Sequence, residues 1–204
     1  MVARERSSQL TRERLIAAAR ASFSRHGYHA ATTAQIAAAA GCSEPTLFKQ
    51  FGSKQALFKA TIQDTAESML AILDEPVPPS ADAFDVLVGR LRGLLSHPLL
   101  GQLSRLRSFA LALPDEIDLG DTPGVDAFEA RVAAAVAAGQ ASGTIRADID
   151  PRDIGRLAFA VGLLFGFRSA VEGDAAAAAE LAPLADTLAT LVRVPEGTSH
   201  ETLA

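Results

Sequence analysis

The sequence predicts an all-α protein, and three observations carry that prediction. Ala and Leu dominate over β-branched residues, no stretch alternates apolar with polar residues, and apolar side chains recur at spacings of three and four. Hydrophobic residues make up 49% of the 204 and aromatics only 5%, so the core must rest on Ala, Leu, Val and Phe. A chain of this length folds as one large or two small domains. The pattern resolves into about nine helices: a three-helix head, then a helical body.

The first helix is expected from residue 8 or 11 to 26. Leu15, Ala19 and Phe23 repeat every fourth position with Ile16 beside them, and Gly27 stops the helix. Thr32 opens the second, its hydroxyl capping the helix while Gln35 takes the reciprocal capping-box position; Gly41 ends it. Ser43 caps the third, which closes near Phe51 and Gly52. Pro45 falls within its first turn, where a missing N–H costs little. Ser53 caps a fourth that reaches about Leu73, and the three prolines within 74–80 cannot continue it. Further helices are expected over 81–96, 98–113, 125–141, 151–171 and 174–194. An Asp-, Gly- and Pro-rich loop occupies 114–123, Gly143 closes the seventh helix, Pro151 takes the first position of the eighth, and Pro195 stops the last. The domains that follow are a head at 1–52, a body at 53–195 joined through the fourth helix, and a flexible tail at 196–204.

The net charge of −5 would argue against a nucleic-acid partner if it were evenly spread. Residues 1–62 hold nine basic side chains against three acidic ones, a net of +6. The other 142 residues hold ten against 21, a net of −11, and all three lysines lie before residue 60. A basic head on an acidic body is the asymmetry of a DNA-reading domain fused to another module. No apolar run approaches the roughly 20 residues of a membrane helix. The N-terminus carries no apolar signal-peptide region, and the single cysteine, Cys42, fits a reducing compartment. The expectation is a cytoplasmic protein with no membrane partner.

Helices of seven or eight residues bury little alone, so two in succession hinged at Gly41 make sense as a helix-turn-helix packed on its neighbours. The residues Gly27-Tyr28, Thr32-Thr33, Ile36-Ala37, Ala40-Gly41, Ser43, Thr46-Leu47, Phe51 and Ser53-Lys54, followed by Leu57, extend the pattern. Over roughly residues 10–60 it resembles the N-terminal signature of the TetR (tetracycline-repressor) family. The resemblance implies a ligand-responsive transcriptional regulator, a repressor, binding a palindromic operator in double-stranded DNA as a homodimer. It implies release by a small apolar effector, and neither cofactor nor metal.

The third helix is then the recognition helix, its N-terminal end entering the major groove. Leu47 and Phe51 are expected to face inward onto Ile36 and Phe23. Glu44, Pro45, Thr46, Phe48, Lys49 and Gln50 remain for the DNA side or its flanks. By the resemblance, Thr33, Ser43, Phe48 and Lys54 contact phosphates, and Glu44, Pro45, Lys49 and Gln50 approach bases or backbone. Ser43 and Ser53 each expose a helix N-terminus, where free N–H groups favour phosphate. Lys49 suits guanine, and the Gln50 amide suits adenine. Arg4 and Arg6 are expected to form a flexible arm on the backbone or minor groove. Two positions depart from the family pattern. Phe48 stands where a tyrosine is usual and cannot hydrogen-bond a phosphate. Glu44 stands where a basic or small residue is usual and repels phosphates unless it accepts from a cytosine amino group. Thr33, Ser43 and Ser53 read equally as plain helix caps.

In the body, the last two helices are apolar around much of their circumference. Leu157, Val161, Leu164, Phe165 and Arg168 share helical spacing on one, and Leu181, Leu184, Leu188 and Leu191 on the other, which suggests a subunit interface as well as a core. Candidate effector-pocket residues on the middle helices are Phe84, Leu87, Leu91, Leu106, Phe109, Leu113, Phe128 and Val132, with Phe159 from the long helix. Enzyme readings find no support: Gly52-Ser53-Lys54 lacks the spacing of a phosphate loop, and Cys42 has no catalytic partner pattern. Asp148, Asp150 and Asp153 match a calcium loop only loosely and are better placed to complement a helix start. The alternative from another class is a helical ligand-carrier or protein-interaction module without DNA binding.

Overall fold

The computed structural model describes residues 2–76, 81–113, 117 and 124–194. Residues 77–80, most of the expected 114–123 loop and the expected tail lie outside the described residues. The all-α expectation is met: nine helices lie among the described residues, α1 (Val2–Ala30), α2 (Thr33–Ala39), α3 (Glu44–Phe51), α4 (Lys54–Asp74), α5 (Ala83–Leu95), α6 (Pro98–Leu111), α7 (Val125–Ala141), α8 (Pro151–Glu172) and α9 (Asp174–Val192). The only extended pairing described is an isolated antiparallel bridge between Ile145 and Arg193.

The start of α1 departs from expectation. Residues before Ser8 are helical, so Arg4 and Arg6 stand on a helix rather than on a flexible arm. Arg, Glu and Ala are good helix formers, and Thr11 Oγ1 donates to the Ser7 carbonyl at 2.8 Å, one turn back. Gly27 (φ 78, ψ 173) interrupts the helix where the sequence places a stop, and helical bonding resumes to Ala30. A side chain there would be strained, and its Cβ would lie 3.6 Å from the Phe109 ring.

Two compact units form. The first comprises Met1–Ser68 and Gly101–Pro123, the second Met69–Leu100 and Gly124–Ala204. The first unit is thus larger than a head ending at residue 52. Its core joins Leu15, Ala19, Phe23, Ile36, Leu47, Leu57, Phe58, Ile62, Leu106, Ala110 and Ile117. Phe23 meets Phe58 edge to face at 4.8 Å between centroids, a pairing worth about 1 kcal/mol beyond its burial. Leu57, Phe58 and Ile62 on α4 are fully buried there, which is why the start of α4 folds with the head.

In the second unit, α7 packs on α8, α8 on α9, and α5 on both α7 and α9. Asp150 caps α8 by accepting from the Arg152 N–H at 2.9 Å, and Asp153 pairs with Arg156, in keeping with their expected place at a helix start. Arg131 on α7 donates through Nε to both carboxylate oxygens of Asp74, at 2.8 and 2.9 Å, and so holds the end of α4. Contrary to the expectation that no apolar run is long enough, α8 and α9 are long and apolar enough to cross a membrane by length and composition, with mean hydropathies of 1.5 and 1.3. A helix that packs on two faces in water has the same composition.

Candidate nucleic-acid interface

The helix-turn-helix is built from its caps outward. Thr32 Oγ1 accepts from the Gln35 N–H at 3.3 Å to start α2. The chain then turns through Gly41, whose φ of 68 suits glycine; the Arg14 guanidinium lies against it. Ser43 Oγ accepts from the Thr46 N–H at 3.4 Å to start α3, and its hydroxyl also meets that of Thr46 at 2.8 Å. Gly52, at φ 77, ends α3, and Ser53 Oγ accepts from the Ala56 N–H at 3.0 Å to start α4. All three expected start signals act as caps.

As expected, α3 buries Leu47 completely, in the same cluster as Ile36 and Phe23, with Phe51 packed at its edge. Burial of Leu47 contributes about 2 kcal/mol. The Arg12 guanidinium covers the outer face of Phe51 at 4.5 Å. Pro45, Phe48 and Lys49 project outward, Phe48 with 42% of its surface exposed.

The remaining expected contacts are held by neighbours. Gln50 Nε2 donates to Ser8 Oγ at 2.9 Å, tying α3 to α1. Lys54 Nζ donates to the His29 carbonyl at 3.2 Å and sits 4.7 Å above the Tyr28 ring, so the ammonium is positioned by the turn after α1. Thr33 Oγ1 donates to Glu44 Oε1 at 2.5 Å, joining the first residues of α2 and α3. This bond was not foreseen from the sequence. The Thr33 hydroxyl proton is committed to the carboxylate.

Residues 15–61 match the model of the bacterial regulatory proteins of the tetR family. The head is a tetR-family head. Curated relatives share it: the transcriptional repressor AcnR of Corynebacterium glutamicum is 32% identical over 88 residues, covering 43% of this chain and 42% of AcnR. The transcriptional regulator UidR of Escherichia coli is 40% identical over 70 residues, covering 34% of this chain and 36% of UidR. The chain thus matches about two fifths or less of the length of these relatives. Beyond the tetR-family head the likeness is one of fold: TylP of Streptomyces fradiae, a tetR regulator, superposes with a TM-score of 0.73 at 22% identity, covering 93% of this chain and 89% of TylP.

The residues expected around an effector divide between the two units. Leu106 is buried in the core of the first unit, and Phe109 and Leu113 are partly buried and pack against it. In the second unit Phe84, Leu87 and Val132 are buried and Leu91 is half-buried, while Phe128 and Phe159 meet at 6.0 Å between ring centroids. Phe84 also lines a groove of about 640 Å³ with Val88, Ala189 and two charged pairs, Arg92–Asp186 and Arg193–Asp85. Arg193 lies 5.0 Å over the Phe84 ring, so this groove is far more polar than the pocket the sequence suggests.

The expected interface residues also separate. Leu157, Leu164, Leu184 and Leu191 are exposed, and so are Leu163 and Phe167, which the reading from helical spacing missed. Phe165 and Leu181 are corrections: both are buried in the chain's own cluster with Leu95 and Ala177. Val161 packs against that cluster, and Leu188 is half-buried. Arg168 bridges α8 and α9 by pairing with Glu172 at 2.6 Å and Glu180 at 2.5 Å.

Proposed function

We propose that the chain is a homodimeric transcriptional regulator, a repressor that binds a palindromic operator and is released by a small apolar effector. The observation that carries this is the outward face of α3. A tetR-family head presents Pro45, Phe48 and Lys49 on a helix whose inner face is locked into a closed core. Its net charge of +6 against a body of −11 supports a polyanionic partner. Lys54 and the caps at Ser43 and Ser53 stand at the flanks, where phosphates position a head on the duplex.

Dimerisation is supported by the exposed apolar side chains of α8 and α9, which a second copy of the chain covers in this reading. Two heads related by a two-fold axis read two half-sites. The effector binds among Phe84, Leu87, Leu91, Phe128, Val132 and Phe159 and acts through α4, which is continuous from Lys54 to Asp74 and anchored at its end by Arg131. Release follows from different affinities of two conformations for DNA. Such a protein works beside the chromosome, in the cytoplasm.

A mobility-shift titration with the DNA upstream of its own gene tests the reading. Specific binding that weakens steeply with salt supports it. Absence of binding at low salt, with the protein folded and dimeric, favours the ligand-carrier alternative for that sequence.

A further inference from the structure

We propose that Thr33 positions Glu44 to read a cytosine, so that each operator half-site carries a C·G pair opposite the first turn of α3. The inference rests on the DNA-reading function above and concerns which base that surface selects.

A carboxylate on the DNA-facing end of a recognition helix needs a reason. Phosphates repel it, and every major-groove acceptor on guanine, adenine and thymine repels it as well. Glu44 is nonetheless at the first position of α3, half-buried, and fixed by the Thr33 hydroxyl. Among the described residues it has no cationic partner, so it is not neutralised from within the head. The bond from Thr33 uses Oε1 and leaves Oε2 as an acceptor. Because Thr33 is itself the first residue of α2, whose N-cap is set by Thr32, the carboxylate is held between the starts of two short helices. Its rotamer is therefore fixed before DNA arrives, and a fixed acceptor discriminates bases better than a mobile one.

Two bases offer an amino group in the major groove. On adenine the N6 amino group is flanked by the N7 acceptor, which repels a carboxylate. On cytosine the N4 amino group is flanked by C5–H, which does not. It therefore faces one acceptor across the pair, guanine O6, where adenine N6 faces acceptors on both sides, N7 and thymine O4. The single remaining oxygen of Glu44 thus fits cytosine N4–H and no other major-groove edge equally well. In this arrangement Thr33 is a positioning residue acting through Glu44, not a phosphate ligand through its hydroxyl.

The test is enrichment of binding duplexes from a random-sequence pool by the full chain, with Glu44→Gln, Thr33→Val and Thr33→Ser prepared alongside and checked for unchanged thermal unfolding. The wild type is expected to enrich a C·G pair at one position of each half-site, with other bases there weakening binding by about tenfold or more. Glu44→Gln should move the preference at that one position to A·T, because an amide pairs with adenine N6 and N7, and leave the other positions unchanged. Thr33→Val should flatten the cytosine preference at that one position, and Thr33→Ser should restore it. If Glu44→Gln enriches the same base as the wild type at every position, the proposal is overturned while the DNA-reading function stands. If Thr33→Val weakens all sequences equally and leaves the base preference at every position unchanged, Thr33 is a phosphate ligand and its positioning role is overturned. If the folded wild type enriches no sequence at low salt, the function beneath the proposal fails with it.

Discussion

Gly155 on α8 and Glu129 on α7 meet backbone to backbone: a Cβ on Gly155 would lie 2.7 Å from the Glu129 carbonyl oxygen and 3.1 Å from its Cα. Neither atom is the end of a flexible side chain, so nothing nearby can swing aside. Gly155→Ala should therefore destabilise the second unit by about 1–3 kcal/mol through overpacking, seen as a lower urea midpoint. An unchanged midpoint would mean that α8 slides without cost.

The cap at Ser43 should matter for the head. Ser43→Ala removes the acceptor for the Thr46 N–H and the partner of the Thr46 hydroxyl. A loss of about 1 kcal/mol in head stability is expected, measured by hydrogen exchange at the α3 amides. Ser43→Asp should recover the stability yet weaken DNA binding, because it sets a second charge beside Glu44.

Phe48 offers a gain rather than a loss. Its ring is exposed on α3, and Phe48→Tyr adds one hydroxyl pointing where the duplex backbone is expected. Operator affinity should rise by about 1 kcal/mol for all sequences alike, with no change in base preference. A sequence-dependent change would place the ring over bases instead.

Association through α8 and α9 is tested by charge. Leu163 and Phe167 are exposed by 61% and 70%, so replacing both with Glu leaves the fold of one chain undisturbed. Equilibrium sedimentation should show monomers for the double variant and dimers for the parent chain. A dimeric double variant would move the interface elsewhere.

Acid should reveal the Arg146–Asp148 pair. The Arg146 hydrogen bond holds the Asp148 carboxyl below its ordinary value, and Arg146 is raised in turn by that bond and by the Asp148 charge. A depressed carboxyl stabilises the fold fully above its unfolded value, and that share is lost as pH falls through the folded one. Asp148→Asn should thus lower the melting temperature slightly at pH 7, and the difference from the parent should vanish in strong acid. The effect is small because both groups are exposed to solvent.

What the sequence made legible follows from how local each signal is. The caps at Thr32, Ser43, Ser53 and Asp150 are decided within three residues, and each stands where it was read. The inward pair Leu47 and Phe51 follows from helical spacing alone. Spacing says which face of a helix is apolar and not what covers it. For that reason the spacing did not show that Leu106, Phe109 and Leu113 pack with the head, and Phe165 and Leu181 looked like interface and turned out to be core. The bond from Thr33 to Glu44 spans eleven residues and a tight turn, so no periodic pattern could announce it.

The place of α6 in the first unit has a practical consequence for anyone cutting or recombining this chain. The segment recognised by family, residues 15–61, omits Leu106, Ala110 and Ile117, which stand in the same core as Phe23 and Phe58. A fragment ending after α4 would lack that part of the core. A head transplanted onto another regulator must bring residues 101–117 along, or find an equivalent plug in its host.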